Sequence, residues 1–393
     1  MSDRSPDRHR DGRRWIGLVL LVVLALGGGP AIADEGTPVL ADAPPASWPA
    51  PDGIDSAAHL LMEVETGQLL VAHNADQRRP VASTLKLLTA YTALQRVEVD
   101  EVVTVGEEVL GVTGSTVGLV PGDEWTVGEL LDAILARSGN EAAEALAVHV
   151  AGDRATFLSW MEEDAAGLGA EGLTITTPSG LDDDTVLSAR DLALIARAAL
   201  DLPALRDAMG KRLVALPGQP AQENRNELIG TYPGATGMKT GFTTPAGHSL
   251  VGSAERGGRE LIAIVLGAGE DPSRFEGAAS LLDHGFTATR PTELGASVSL
   301  SVGGGTIDLV TDDVTITIPI DSEARLDLRL PLRPPETSLR FPLVVDDATL
   351  TELVATPGAG PEPVDDPNAQ LGRSLVDGTY TALRAATAAG TLG

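Results

Sequence analysis

Lysine is rare in this chain: Lys86, Lys211 and Lys239 are the only lysines among 28 lysine and arginine residues. Arginine is therefore the usual cation, and a lysine at a given position calls for a specific reason. A lysine can lose its proton when it is buried or lies near a second cation, whereas arginine stays charged. Two of the three lysines occur in short polar motifs, which are the first candidates for chemistry.

The segment Ser83-Thr84-Leu85-Lys86 places a hydroxyl and an amine three residues apart. On a helix the two side chains share one face, so the amine can reach the hydroxyl. A serine needs a nearby base to become a nucleophile, and a lysine kept neutral by burial and a neighbouring cation can be that base. Taken alone, such a tetrapeptide is more often a helix cap followed by a surface cation.

Two further motifs follow along the chain. Ser138-Gly139-Asn140 lies between two apolar helical patterns, where a loop can project side chains into a cleft, although the same residues also suit a helix stop and cap. Lys239-Thr240-Gly241 lies in a predicted strand, with Lys239 and Gly241 on one face. A glycine there would let a substrate backbone lie against the strand and pair with it.

Periodicity predicts the elements that must position these residues. Strands are expected at 60–65, 69–73, 237–243, 248–255 and 259–266, which form a mostly antiparallel sheet. A core helix is expected from residue 83, a second helix capped by Thr126 and Glu129 and ending near 137, and further helices at 141–150, 156–166, 188–200 and 273–284. Gly152 is placed to end the helix at 141–150.

The two ends of the chain differ from the middle. Five arginines precede an apolar run at 15–26 and the sequence Ala31-Ile32-Ala33, a pattern that predicts a secretory signal peptide over 1–33 and export from the cytoplasm. The same run could instead be an uncleaved N-terminal anchor. A flexible leader over 34–53, a main domain over 54–290, a small β-rich domain over 291–354 and a linker with a tail over 355–393 are expected.

Composition limits the possible partners. The formal net charge is −28, so no basic surface is available for nucleic acid, and no DNA or RNA partner is expected. The chain has no cysteine, so any covalent chemistry uses serine, threonine or lysine. The six histidines are scattered outside any metal-ligand spacing, and neither a metal nor an organic cofactor is predicted.

The three motifs occur in the order that the penicillin-binding proteins and class A β-lactamases share. Residues from about 60 to 286 resemble the serine-type D-alanyl-D-alanine carboxypeptidases, the low-molecular-mass penicillin-binding proteins, most closely at 80–90, 138–143, 237–243, 246–248 and 281–286. The resemblance implies an α+β fold of the β-lactamase/transpeptidase type. That fold has an antiparallel five-stranded sheet flanked by helices, with an inserted all-helical subdomain, and a small C-terminal β-rich domain follows it.

The resemblance also implies roles for individual residues. Ser83 would be the acylated nucleophile and Lys86 its base, while Ser138 and Asn140 would relay protons and hold the substrate amide. The terminal carboxylate would be bound by Lys239 and Thr240 beside Gly241, with Arg225 as an additional contact, and the oxyanion by the backbone N–H groups of Ser83 and Phe242.

The implied reaction releases the last D-Ala of a peptidoglycan stem peptide on the cell-wall side of the cytoplasmic membrane, and β-lactams would inhibit it by acylating the same serine. A β-lactamase would need a second carboxylate to activate water, and Glu223, the nearest candidate, is interpreted as a surface residue. A D,D-endopeptidase would use the same motifs, and a non-catalytic peptidoglycan-binding protein would keep the fold without the reaction. The tail at 371–393 could give peripheral membrane association, although its basic face is weak.

Overall fold

The structure is a computed structural model that describes residues 21–22, 43–294, 297–302, 305–311, 314–328 and 339–357. The chain divides into a unit that spans Asp42–Pro291 and a second unit that includes everything from Thr292 onward. Apart from the short strand Leu21–Val22, the predicted signal peptide lies outside the described residues, as does the predicted tail at 371–393.

The larger unit is built on one antiparallel five-stranded sheet. Its strands are β1 (Ala58–Glu63), β2 (Leu69–His73), β3 (Ala235–Thr243), β4 (Gly247–Arg256) and β5 (Arg259–Ala268). The spatial order is β3-β4-β5-β1-β2, so the chain leaves the sheet after β2 and re-enters at the opposite edge with β3. The predicted fold class is confirmed, and the five predicted strands are all present within two residues of their expected ends.

Helices cover the sheet and make up most of the long segment between β2 and β3. They are α1 (Lys86–Leu94), α2 (Val127–Leu135), α3 (Asn140–Ala151), α4 (Arg154–Gly167), α5 (Ala189–Leu200), α6 (Pro203–Gly210) and α7 (Asp271–Ala288). Short 3-10 turns occupy Ala82–Leu85 and Glu107–Val109. Sequence periodicity did not predict α6, which is a short helix that starts at a proline, where the fixed φ of the ring favours the first turn.

Three short two-stranded ladders connect parts of the segment between β2 and β3. Arg79–Pro80 pairs with Val186–Leu187, Val102–Thr104 with Glu124–Thr126, and Leu213–Val214 with Gln222–Glu223. The first of these ladders brings the chain just before Ser83 to the chain just before α5. The turn that carries Ser83 is therefore fixed on both sides, by the ladder before it and by α1 after it.

Helix α1 is the centre of the helical part of the core. Its side chains at Leu87, Leu88, Ala90 and Ala93 are fully buried, and the helix contacts α2, α3, α4 and α5. Aromatic residues make up only 3% of the chain, and the helices pack through alanine and leucine instead. Small side chains allow close approach of the helix backbones, which holds the first turn of α1 rigidly.

The predicted capping box of α2 and the predicted C-terminal cap of α3 are both confirmed. The hydroxyl of Thr126 accepts a hydrogen bond from the Glu129 backbone N–H at 3.2 Å, and the Glu129 carboxylate accepts one from the Thr126 backbone N–H at 2.7 Å. Gly152 ends α3 with φ of +82°, a left-handed conformation that glycine adopts without strain. Helix α2 ends at Leu135, two residues earlier than expected.

The predicted leader does not stay apart from the fold. Trp48 is buried in the larger unit with 7% of its surface exposed, and its backbone N–H donates to the Pro45 carbonyl at 2.9 Å. The predicted leader over 34–53 thus contains a residue that packs on the larger unit, and its bounds stay a prediction. Proline and alanine gave no periodic signal, but one large aromatic side chain buries enough apolar surface to anchor the segment.

The C-terminal unit is β-rich, as its alternating pattern predicted. Its strands are Ser297–Val302, Gly305–Thr311, Val314–Pro319, Ala324–Leu328, Leu339–Val345 and Ala348–Pro357. The last strand extends three residues into the expected linker, because Thr356 and Pro357 pair with Val310 and Leu309 of a neighbouring strand. No helix in the described part of the chain is long and apolar enough to cross a membrane.

The capping box of α2 gives a stability prediction. Thr126→Ala removes the side-chain acceptor for the first turn of α2 and should lower the free energy of unfolding by about 1 kcal/mol. Chemical denaturation of the two proteins measures the difference. Ser159→Ala, an exposed change inside α4, is the matched control and should leave stability within about 0.5 kcal/mol of the original. Equal stability of the Thr126→Ala and original proteins would contradict the prediction.

Candidate active site

Ser83 and Lys86 meet at the junction of a 3-10 turn and a helix. The turn Ala82–Leu85 runs directly into α1, whose first residue is Lys86. With three residues per turn, a 3-10 helix places residues three apart almost directly above one another. The Nζ atom of Lys86 lies 2.9 Å from the Oγ atom of Ser83 and donates a hydrogen bond to it. The structure thus places the amine within reach of the hydroxyl, as the spacing predicted.

The backbone just before Ser83 is in an uncommon conformation. Ala82 has φ of +50°, in the left-handed region that alanine rarely occupies. Gly180 lies against it at φ of +69°, and a Cβ atom at that position would overlap the Ala82 carbonyl oxygen. Strained residues of this kind persist where the surrounding structure fixes them. The loop that carries Gly180 therefore supports the turn that presents Ser83.

Lys86 is completely buried, and its Nζ atom has three acceptors. Besides Ser83 Oγ, it donates to Oδ1 of Asn140 at 2.7 Å and to the backbone carbonyl of Ser179 at 2.6 Å. The pKa of Lys86 is lowered to about 7, chiefly by burial and also by the charge on Arg225, against the opposing effect of Glu141 and Glu144. Near neutral pH the amine is therefore present in both protonation states.

Ser138 and Asn140 face the two lysines. Asn140 is the first residue of α3, so it lies on the helix rather than in the expected loop, while Ser138 precedes it with φ of +66°. The Asn140 side chain accepts from Lys86 and donates from Nδ2 to the Thr113 carbonyl at 2.7 Å. These two contacts fix the orientation of the amide.

Lys239 is the second buried lysine. Its Nζ atom donates to Oγ of Ser138 at 3.0 Å and to the backbone carbonyl of Thr240 at 2.8 Å. Burial holds the pKa of Lys239 well below its usual value, and the positive charges of Lys86, Arg225 and Arg274 lower it further. The three sequence motifs thus converge on one cluster, in which each lysine contacts a serine hydroxyl.

Strand β3 continues past Lys239 along the edge of the cleft. Gly241 faces the Ser83 turn, and a Cβ atom there would lie 2.9 Å from the Val81 carbonyl and 3.2 Å from the Ser83 nitrogen. A glycine at this position was predicted to let a substrate backbone approach, whereas the space where its Cβ would lie is occupied by the chain itself. Phe242 is 54% exposed, and its ring stacks on His248 with 4.3 Å between centroids.

Arg225 and Glu223 lie at the protein surface, two residues apart along the chain. Both are exposed, and the Arg225 backbone N–H donates to the Ala136 carbonyl at 3.0 Å. The Arg225 guanidinium makes no hydrogen bond to the motif residues, but its charge acts on both buried lysines. Glu223 lies 3.9 Å from Arg212 at the surface, as expected for a residue outside the reacting groups.

Several residues of the site gave no signal in the sequence. The Ser179 carbonyl contacts Lys86 as a backbone group, and a backbone group carries no residue-type signature. Glu141 is buried, and one oxygen of its carboxylate accepts from the N–H groups of Val117 and Gly118, which holds the loop beside Asn140. The turn signal Pro178-Ser179-Gly180 could have marked that loop, but not its contact with the lysine.

No group of three or more histidine, aspartate or glutamate side chains in the described ranges is arranged to hold a metal ion. What the described residues do offer is a serine hydroxyl, two buried amines and two amide or hydroxyl partners within hydrogen-bond distance. This is the geometry of enzymes that form an ester on serine with lysine as the base. The fold and the site together define a serine acyl-transfer enzyme of the penicillin-binding class.

The chain belongs to the D-alanyl-D-alanine carboxypeptidase family, peptidase S11, whose family model matches residues 45–270. It is 35% identical over 266 residues to the D-alanyl-D-alanine carboxypeptidase DacB2 of Mycobacterium tuberculosis, a match that covers 65% of this chain and 91% of that protein. It is 37% identical over 247 residues to DacC of Escherichia coli, covering 59% of this chain and 62% of that protein. The recognition made from the motifs is confirmed.

Solved structures give the same assignment. Penicillin-binding protein 5 from Haemophilus influenzae aligns with a TM-score of 0.69 and 27% identity, over 79% of this chain and 98% of its own. Penicillin-binding protein D2 from Listeria monocytogenes, solved with ampicillin bound, aligns with a TM-score of 0.55 and 31% identity, over 61% of this chain and 100% of its own. The wider coverage of the first shows that the resemblance extends beyond the larger unit.

The small number of lysines permits a direct titration of the site. With ¹³C-labelled lysine side chains, NMR should show one signal that titrates near pH 7 (Lys86) and one well below the usual lysine value (Lys239). The Lys211 signal should titrate above that value. Burial lowers its pKa, but hydrogen bonds to Asp207 and Asp132 outweigh this effect. Lys211→Arg assigns the third signal, and midpoints above pH 10 for all three would contradict the prediction.

The same titration has a consequence for stability. Between about pH 7 and the usual lysine pKa of 10.5, the unfolded chain binds more protons at Lys86 than the folded chain does. The contribution of Lys86 to the free energy of unfolding therefore increases as the pH rises through this window.

Proposed function

We propose that this protein removes the terminal D-alanine from peptidoglycan stem peptides that end in D-Ala-D-Ala, through an ester formed on Ser83. The observation that carries the proposal is the 2.9 Å contact between Ser83 Oγ and the Nζ atom of Lys86, an amine whose pKa is about 7. Family membership supplies the class of bond that is cleaved.

Lys86 acts as the base in the first step. When it is neutral, its two remaining N–H bonds are held by Asn140 and the Ser179 carbonyl, and its lone pair faces the hydroxyl proton of Ser83. Ser83 Oγ attacks the carbonyl carbon between the two D-alanines as its proton passes to Lys86. The resulting ammonium keeps the same three partners, so little reorganisation is needed.

The rest of the cluster binds the substrate and completes the proton transfer. The terminal carboxylate is bound by Lys239 and Thr240, with Arg225 as an outer contact, and its negative charge favours the protonated form of Lys239. The backbone N–H groups of Ser83 and Phe242 hold the oxyanion. Collapse of the tetrahedral intermediate breaks the C–N bond. The proton that Lys86 took from Ser83 passes through the Ser138 hydroxyl to the amine of D-alanine, which leaves, and Lys86 is neutral again.

Water completes the reaction. It attacks the ester carbonyl and gives a proton to Lys86. Lys86 passes this proton to Ser83 Oγ as the ester C–O bond breaks and the shortened peptide leaves. Because β-lactams carry a reactive amide and a nearby carboxylate, they form the same ester, and the ampicillin-bound relative from Listeria supports this for the present chain. Action on the cell-wall side of the membrane is supported by the family and by the signal sequence predicted over 1–33.

The direct test is D-alanine release from a pentapeptide that ends in Lys-D-Ala-D-Ala, measured together with labelling by a fluorescent penicillin. The original protein should release D-alanine and become labelled, and Ser83→Ala should lose both because no ester can form. Ser159→Ala, which removes an exposed hydroxyl, should retain both. Release by Ser83→Ala would contradict the proposal, and rapid steady turnover of a chromogenic cephalosporin would indicate a β-lactamase instead.

The support that Gly180 gives to the Ser83 turn can be tested separately. Gly180→Ala forces the Ala82 carbonyl to retreat, and the displaced Ser83 should be acylated by penicillin about 100-fold more slowly. Gly257→Ala is the matched control, since Gly257 has a similar φ of +62° but open space where its Cβ would lie. The control should lose some stability while its labelling rate is unchanged. Equal labelling rates in both variants would contradict the assigned role of Gly180.

A further inference from the structure

A recess of about 440 Å³ opens beside the reacting groups. Two of its lining residues also belong to the site through their backbone carbonyls. The Thr113 carbonyl accepts from Asn140 Nδ2 at 2.7 Å, and the Ser179 carbonyl accepts from Lys86 Nζ at 2.6 Å. The recess therefore shares its wall with the groups that hold the base.

Glu144 lies in this recess with an incomplete set of partners. It is one helical turn beyond Asn140 on α3, and only 8% of its surface is exposed. Among the described residues its carboxylate accepts no hydrogen bond, and its nearest cation, Nε of Arg154, is 3.7 Å away. The Glu144 side chain keeps 11% of its surface exposed, so a donor on a ligand in the recess can reach the carboxylate.

The remaining lining has both charge signs and an apolar rim. Glu108 and Asp182 add negative charge, while the half-exposed Arg154 adds one positive group. Leu110 and Leu181 contribute apolar walls that are 62% and 38% exposed. Exposed leucines beside charged groups suit a ligand with an aliphatic chain and a charged end. Net negative charge in the recess favours an ammonium as that end.

We propose that the recess binds the side chain of the diamino acid that precedes D-Ala-D-Ala in the stem peptide, with its terminal ammonium donating to Glu144. This inference rests on the proposed function, since it requires the peptide to be bound at Ser83. The methylene groups of the side chain lie between Leu110 and Leu181. Arg154 can pair with a carboxylate next to the ammonium, which is present in diamino acids that carry a carboxylate at each end.

The test compares two peptides of equal shape. One ends in Lys-D-Ala-D-Ala, and in the other 6-hydroxynorleucine replaces lysine, so that a neutral hydroxyl stands where the ammonium was. The original protein should show a kcat/KM for D-alanine release about tenfold higher with the lysine peptide. Glu144→Gln should reduce this ratio to about twofold or less, since a neutral amide removes the charge that assists the hydrogen bond. Any effect of the substitution on Lys86 acts on both peptides and cancels in the ratio.

Glu163→Gln is the matched control, because it removes one negative charge from an exposed position on α4 and should leave the tenfold ratio intact. Leu181→Arg is a second variant that leaves Glu144 in place. A cation at the rim should repel the ammonium and reduce the ratio even if Glu144→Gln does not fold.

The outcomes separate the two proposals. Equal kcat/KM for both peptides with the original protein would overturn the proposal that the recess binds the diamino acid side chain. The proposed carboxypeptidase function would remain intact. No release from either peptide would overturn the proposed function and the recess with it. A ratio reduced as much by Glu163→Gln as by Glu144→Gln would show a general effect of net charge and would also overturn the recess.

Discussion

The burial of Lys86 is the constraint on which the rest of the site depends. Moving an ammonium from water into a protein interior costs several kcal/mol unless new partners replace its hydration. Lys86 finds them in three separate parts of the chain: a 3-10 turn supplies Ser83, the first residue of α3 supplies Asn140, and the loop before α5 supplies the Ser179 carbonyl. The core around α1 has to hold all three segments in one place.

The site concentrates positive charge, although the whole chain is strongly negative. The chain has a formal net charge of −28, yet the cleft gathers Lys86, Arg225 and Arg274 around Lys239. Two buried glutamates, Glu141 and Glu144, oppose this concentration of positive charge. An amine that had only cations for neighbours would stay neutral even when a proton is offered. The glutamates keep the pKa of Lys86 close to neutral pH, where the amine can both take up and release a proton.

The sequence was informative where residue type and spacing carry the signal. Alternation located the five strands, the Thr126–Glu129 pair located the start of α2, and the lysine motifs located the cluster. The sequence was less informative where a backbone atom or a single long-range contact determines the structure. The Ser179 carbonyl could be any residue's carbonyl, and the buried Trp48 lies in a stretch without periodicity. The need for glycine at position 241 also depends on its contact with Ser83, which lies 158 residues away in sequence. No local pattern reveals this contact.

That close approach at Gly241 has an evolutionary consequence. The strand at the cleft edge and the turn that presents Ser83 touch through backbone atoms, with no side chain between them that could be trimmed or exchanged. Any larger residue at position 241 displaces the Ser83 turn itself. Under the proposed mechanism, a population exposed to a β-lactam could not gain resistance at this position by steric exclusion of the drug, because the same change would impair the enzyme's own substrate. Escape would have to come from side chains that do not touch the Ser83 turn, such as the exposed ring of Phe242.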